Sequence, residues 1–198
     1  MGFYFVAPNG DDKNSGGILE PLATLNRADD LMVDGDTCFV RGGRYTNMGP
    51  QSLKKSASFE KYPEDDTPPV LDMAAYQDAM QENEQYGIAL YGAGAILSGL
   101  WITGGWKGFI ARADKVMITG SRVTNCGSRG FGIAGHNVTL LGNKAINCGL
   151  FWQEQCQDPA RYLIGGWPGI IEFLPHYTEK GNCTGGILRG NLVKESYG

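Results

Sequence analysis

The chain has 198 residues, 30 of them glycine, with 42% hydrophobic and 19% charged positions and a formal net charge of −4. One domain is the expectation at this length, and such a composition excludes a disordered chain or a coiled coil. No apolar run approaches the roughly 18 residues of a membrane span, and an acidic chain without a recognised motif argues against nucleic acid as partner.

Residues 4–7 predict a first strand, closed by the turn-forming Pro8-Asn9-Gly10-Asp11-Asp12. Residues 1–6 carry neither the basic nor the long apolar stretch of a secretion signal, so the chain reads as cytoplasmic or as a mature form without its leader. Residues 21–32 predict a short amphipathic helix with Leu22, Leu25, Ala28 and Leu31 on one stripe. Asp34-Gly35-Asp36 then turns into a strand over 37–40 that ends at Gly42-Gly43. Residues 46–86 read as a polar, irregular excursion with the acidic run Glu64-Asp65-Asp66, a solvated loop rather than a calcium site. A helical turn is expected over 72–80.

From residue 87 the chain repeats. Gly99, Gly120 and Gly142 open phrases that start 21 and 22 residues apart, and Gly87, Gly108 and Gly130 keep the same beat. A period of this size, built from short β-rich runs with glycine at the corners, predicts stacked coils of a solenoid. Alternation turns Ile88, Leu90, Phe109, Ala111, Phe131 and Ile133 inward on the first sheet of each coil. Ala89, Tyr91, Ile110, Arg112, Gly132 and Ala134 then face outward. Asn125 and Asn147 fall one coil apart, as a stacked amide pair would. Cys126 and Cys148 do the same, as small buried side chains. None of the five cysteines forms a CxxC pattern, and the odd count argues against a full disulfide framework. Open solenoid ends need covers, and the helix over 21–32 is the candidate at the first end.

The charge is unevenly spread. Residues 1–86 carry seven Lys/Arg against fifteen Asp/Glu, whereas residues 99–145 carry Lys107, Arg112, Lys115, Arg122, Arg129 and Lys144 against Asp114 alone. These six cations either form a strip for an anionic polymer or point in different directions. The beat breaks after Gly149, where an insertion of about 17 residues, 150–166, is followed by a smaller excess near 174–183. Phe151, Trp152, Tyr162 and Trp167, with Glu154, Asp158 and Arg161 between them, make either a carbohydrate platform or a cap. Glu172 and His176 follow as a potential acid and base. Alignment with earlier coils turns Glu172 inward unless the register slips by one beside the insertion.

The runs Phe3-Tyr4-Phe5-Val6-Ala7-Pro8-Asn9-Gly10-Asp11-Asp12, Pro21-Leu22-Ala23-Thr24-Leu25-Asn26-Arg27-Ala28 and Asp34-Gly35-Asp36-Thr37-Cys38-Phe39-Val40-Arg41-Gly42-Gly43-Arg44-Tyr45 resemble the opening of the pectate-lyase-like superfamily. Pro69-Val70-Leu71-Asp72 and the later Gly-Ile and Gly-Asn phrases are similar to those of family-9 polysaccharide lyases and related secreted proteins. The resemblance implies an all-β fold, a right-handed parallel β-helix in the form of a short solenoid with an N-terminal capping helix. The single domain, 1–198, then divides into an opening strand, helix and first coil (1–45), the excursion (46–86), regular coils (87–149) and a coil with a long insertion and an uncapped end (150–198). It also implies a secreted or periplasmic, carbohydrate-directed protein of lyase or glycosidase type with an anionic polysaccharide as ligand. Calcium is a cofactor by analogy, but the clustered aspartates of family-9 lyases have no counterpart after Gly120, so no metal ligand is assigned. Glu172, His176 and Arg112 are the catalytic candidates. Tyr91, Lys107, Arg112, Arg129, Trp152, Arg161 and Trp167 are the candidates for substrate binding. A homo-oligomer through the uncapped C-terminal end is expected. The alternative reading is a non-catalytic oligomerising or binding module, adhesin-like or tailspike-like.

Overall fold

The structure is a computed structural model that describes residues 1–149, 171–173 and 185–194. An opening strand β1 (Phe3–Val6) leads through helix α1 (Leu25–Leu31) into the first coil, β2 (Thr37–Val40), β3 (Gly43–Tyr45) and β4 (Gln51–Leu53). The second coil is β5 (Ser58–Lys61), β6 (Pro69–Asp72), helix α2 (Gln77–Glu82) and β7 (Tyr86–Leu90). The third is β8 (Ile96–Ser98), β9 (Trp101–Thr103) and β10 (Lys107–Ala111), and the fourth β11 (Met117–Thr119), β12 (Arg122–Thr124) and β13 (Phe131–Ile133). The fifth is β14 (Thr139–Leu141), β15 (Lys144–Ile146) and β16 (Ile171–Phe173), followed by β17 (Ile187–Arg189) and β18 (Leu192–Lys194).

Every pairing between these strands is parallel and joins one coil to the next. The result is three sheets: seven strands in the order β1-β2-β5-β8-β11-β14-β17, six in the order β18-β15-β12-β9-β6-β3, and five in the order β16-β13-β10-β7-β4. This is a parallel β-helix. Residues 46–86 are a correction to the sequence reading. They hold β4, β5 and β6 and so belong to the coils, which are lengthened here by the stretch between β5 and β6 and by the segment containing α2. Polar corners and proline hid short strands whose inward residues, Leu53, Phe59 and Leu71, are completely buried.

The core is three ladders of inward side chains. Phe59, Leu97, Ile118 and Leu140 fill the side of the seven-stranded sheet, and Leu71, Ile102, Val123 and Ala145 that of the six-stranded one. Ile88, Phe109 and Phe131 fill the third, and all eleven side chains are at most 1% exposed. Phe109 and Phe131 stack one coil apart with ring centroids 5.4 Å from each other.

The two glycine beats have different causes. Gly99, Gly120 and Gly142 occupy the two-residue corner between the seven- and six-stranded sheets at φ of 72°, 56° and 62°, where side chains are strained. Gly87 and Gly108 are instead places of close approach. A Cβ on Gly87 would lie 2.8 Å from Ile102 Cδ1, and one on Gly108 would lie 2.5 Å from Val123 Cγ2.

The first end is covered as expected, and by two devices. Helix α1 is capped by Thr24, whose side chain accepts from Arg27 N, and it buries Leu25 and Ala28. The free edge of β1 is paired by the passing chain, with Phe5 N donating to Gly16 O, Leu22 N to Phe5 O and Ala7 N to Leu22 O. At the other end, Leu188 and Val193 sit in inward ladder positions yet are 43% and 45% exposed.

Candidate functional site

The outer face of the five-stranded sheet gathers the sequence candidates. Tyr86 and Lys107, just before the closely packed Gly87 and Gly108, are in register with one another. Tyr86, Ala89, Ile110 and Ala134 form a small buried cluster separate from the core. A Cβ on Gly132 would lie 2.8 Å from the Tyr86 hydroxyl oxygen, so the tyrosine ring reaches across β10 towards β13. The outward positions are therefore not simply solvent-facing, as alternation alone suggests. Ile110 is fully buried and Ala89 is 7% exposed.

Cations surround this low floor. Lys107 is 4% exposed, paired with Glu84, and its ammonium lies 5.3 Å from the centroid of the Tyr86 ring. Desolvation of an ammonium is costly without such partners, so Lys107 is fixed in place. It is thereby corrected from a direct substrate ligand to a buried positive charge beneath the face. At the far end of the strands, the Arg112 guanidinium sits 5.8 Å from the ring centroid of Tyr91, which is 48% exposed. Arg129 is half-buried. Gly108 N donates to its carbonyl at 2.8 Å, which sets it beside Lys107 on the next coil.

The register of β16 settles the position of Glu172. Ile171, Glu172 and Phe173 pair with Phe131, Gly132 and Ile133. Glu172 thus takes the place of Gly132, in the outward row with Ile110 and Ala89. That is the slipped register, and direct alignment of the glycine phrases, which turned Glu172 inward, is corrected. Ile171 and Phe173 take the register positions of Phe131 and Ile133, where a carboxylate would be costly. Trp152, Arg161, Trp167 and His176 lie outside the described residues. Tyr91, Lys107, Arg112, Arg129 and the backbone of Glu172 are brought to one face.

The six basic residues do not form one strip. Lys107, Arg112 and Arg129 border the five-stranded sheet, and Lys115 sits in an exposed turn. Arg122 and Lys144 share a register position on the six-stranded sheet with Trp101. The row is legible in the sequence, since 101, 122 and 144 repeat at 21 and 22 residues.

The acidic residues of the first coils are consumed by structure. Asp65 makes two hydrogen bonds with the Arg41 guanidinium at 2.8 and 3.0 Å and accepts from Gly42 N at 2.6 Å. The Arg41 guanidinium first, then the Gly42 amide, holds its carboxyl below the usual carboxylate range. Asp12, Asp29, Asp34 and Asp36 likewise accept backbone N–H groups at corners. Among the described residues no three His, Cys, Asp or Glu side chains are grouped to hold a metal ion.

No protein-family model matches the chain, and no curated protein matches its sequence. Solved structures do resemble it. A rhamnogalacturonan lyase superposes over 98% of this chain and 51% of its own, at a TM-score of 0.69 and 18% identity. The pectate lyase Pel9A matches 73% of this chain and 39% of its own, at 0.60 and 20% identity. The GH136 lacto-N-biosidase from Eubacterium ramulus matches 98% of this chain and 41% of its own, at 0.61 and 13% identity. The fold is the right-handed parallel β-helix of these carbohydrate-active enzymes. The chain spans about half, or less, of the length of each.

Proposed function

We propose that this is a carbohydrate-directed protein whose ligand, an acidic polysaccharide, lies on the outer face of the five-stranded sheet. The observation that carries the reading is the gathering of Lys107, Arg112 and Arg129 around a floor of Ala89, Gly132 and Ala134. Lys107 is buried and ion-paired beneath this face, so the ligand contacts fall to Arg112, Arg129 and Tyr91. A guanidinium presents its donors in a planar fork that matches a carboxylate, so Arg112 and Arg129 suit the uronate groups. Tyr91, half exposed beside Arg112, offers a flat apolar surface to the ring itself. The likeness to lyases and a glycosidase supports the same class of ligand. For bond cleavage the groups at hand are Arg112, to neutralise the substrate carboxylate, and Glu172, whose backbone register brings it to the same sheet, as the group for proton transfer.

Incubation with polygalacturonate, rhamnogalacturonan and a neutral glucan tests this reading. New ultraviolet-absorbing unsaturated ends mean elimination, and new reducing ends without them mean hydrolysis. Binding of the acidic polymers without either product makes the protein a non-catalytic carbohydrate-binding module. The double variant Arg112→Gln, Arg129→Gln should weaken binding of a short oligogalacturonide at least about tenfold at low ionic strength. Failure of the unaltered protein to bind or cleave either acidic polymer overturns the proposal.

A further inference from the structure

The six-stranded sheet has an outer face that the site above does not use. Its central row reads Arg44, Val70, Trp101, Arg122, Lys144 and Leu192, one residue per coil. The adjoining outward row reads Asp72, Thr103, Thr124, Ile146 and Lys194. At the N-terminal end the charges cancel, because Arg44 and Asp72 form an ion pair at 2.6 Å. From β9 onward these two rows contain Arg122, Lys144 and Lys194 and not one carboxylate. Successive coils of a β-helix stand about 4.8 Å apart, so these cations line up along the solenoid axis.

Their side chains differ in a useful way. The Arg122 guanidinium lies 5.0 Å from the centroid of the Trp101 ring, which holds it in one place before any ligand arrives. Lys144 and Lys194 are exposed. In the adjoining row Thr124 Oγ1 donates to Thr103 Oγ1 at 3.0 Å.

We infer that this face is a second, non-catalytic contact for an acidic polysaccharide, which would run along the axis from Trp101 past Arg122 and Lys144 to Lys194. The argument is charge complementarity. A row of cations with no interspersed anion binds a polymer with a regular negative charge far better than a single charged sugar, because each unit adds its own contact. Arg122 and Lys144 thus form a group apart from the Lys107, Arg112 and Arg129 that border the five-stranded sheet. The inference rests on the proposed acidic ligand but not on the residues of the first site.

The test uses the full chain and immobilised polygalacturonate, with a short oligogalacturonide as second probe. The double variant Arg122→Gln, Lys144→Glu should bind the polymer at least about tenfold more weakly in low salt while binding the oligomer as the unaltered protein does. The difference should vanish near 0.5 M salt, where charges are screened within a few ångströms. Lys13→Glu serves as control, an exposed charge change of similar kind at the opposite end of the chain, and should leave both affinities unchanged. Equal loss with Lys13→Glu means a net-charge effect and overturns the inference. Unchanged polymer binding in the double variant also overturns it; should Arg112→Gln, Arg129→Gln still abolish oligomer binding, the first site stands alone. No binding of either probe by the unaltered protein overturns both readings. Displacement of the polymer by a single-stranded oligonucleotide at lower charge concentration than by free polygalacturonate overturns the assignment to a polysaccharide.

Discussion

The first two coils and the central coils solve the same problem with opposite chemistry. Each corner of a β-helix leaves backbone N–H groups that no sheet can satisfy. In residues 1–86 carboxylates take most of those met by side chains, beside Asn26 and Gln51: Asp29 accepts from Lys54 N and Lys55 N at 2.9 and 3.0 Å, and Asp12 from Ala23 N and Thr24 N, both at 2.9 Å. In the central coils amides do most of this work. Asn143 accepts from Ser121 N at 2.9 Å, donates to Ile118 O at 2.8 Å, and donates to Asn191 Oδ1 at 3.1 Å. An amide both donates and accepts, so it links one coil to the next, whereas a carboxylate only accepts.

Interchanging the two chemistries breaks the comparison most severely in the centre. Asn143 is 1% exposed, and Asn143→Asp would bury a charge, lose the donor to Ile118 O and set a carboxylate against Asn191 Oδ1. Destabilisation of about 4 kcal/mol is expected in urea unfolding. The mirror change, Asp29→Asn, keeps one acceptor oxygen and puts an amide donor against a backbone N–H, for a loss of about 2 kcal/mol. If Asp29→Asn proves the more damaging of the two, the division of labour between the halves is wrong.

Acid sharpens the contrast at a smaller amplitude. Asp36 is held below the ordinary carboxylate range chiefly by the Gly2 and Val33 amides, and Asp65 chiefly by the Arg41 guanidinium. A depressed folded-state pKa contributes stability that is complete above the unfolded value, near 3.9, and is lost as pH falls through the folded value. Urea midpoints should therefore stay level from neutral pH down to about pH 5 and fall below about pH 4. In the double variant Asp36→Asn, Asp65→Asn that acid slope should be shallower. An unchanged slope would mean that the first coils do not depend on these carboxylates.

Much of this architecture was legible in the sequence because its causes are local. The period showed itself through Gly99, Gly120 and Gly142, which need positive φ, and through Gly87 and Gly108, which need closeness. The inward ladder through Ile88, Phe109 and Phe131 followed from alternation alone. What escaped depends on distant partners. The strands within residues 46–86 have one or two apolar rungs each, and only neighbours some twenty residues away reveal them. The acidic run at Glu64 looked like a solvated loop because nothing local announces that Arg41 will claim Asp65. Lys107 looked like a ligand contact because its ion pair with Glu84 and its contact with the Tyr86 ring come from residues a coil away.

The smallest effect separates two explanations for one corner. Asn125 and Asn147 stack one coil apart, with Asn147 Nδ2 donating to Asn125 Oδ1 at 2.7 Å, and both have positive φ, 55° and 53°. Asparagine is favoured there either for the bond between coils or because it tolerates the left-handed backbone. Both Asn147→Ala and Asn147→Gly remove the bond, but only alanine strains the backbone. An exposed amide pair contributes little, since water replaces it readily. Alanine should thus cost about 1 kcal/mol and glycine less than about 0.5 kcal/mol. Equal losses in both variants would instead assign the corner to the amide ladder, and the same reading would then extend to the buried pair at Asn143 and Asn191.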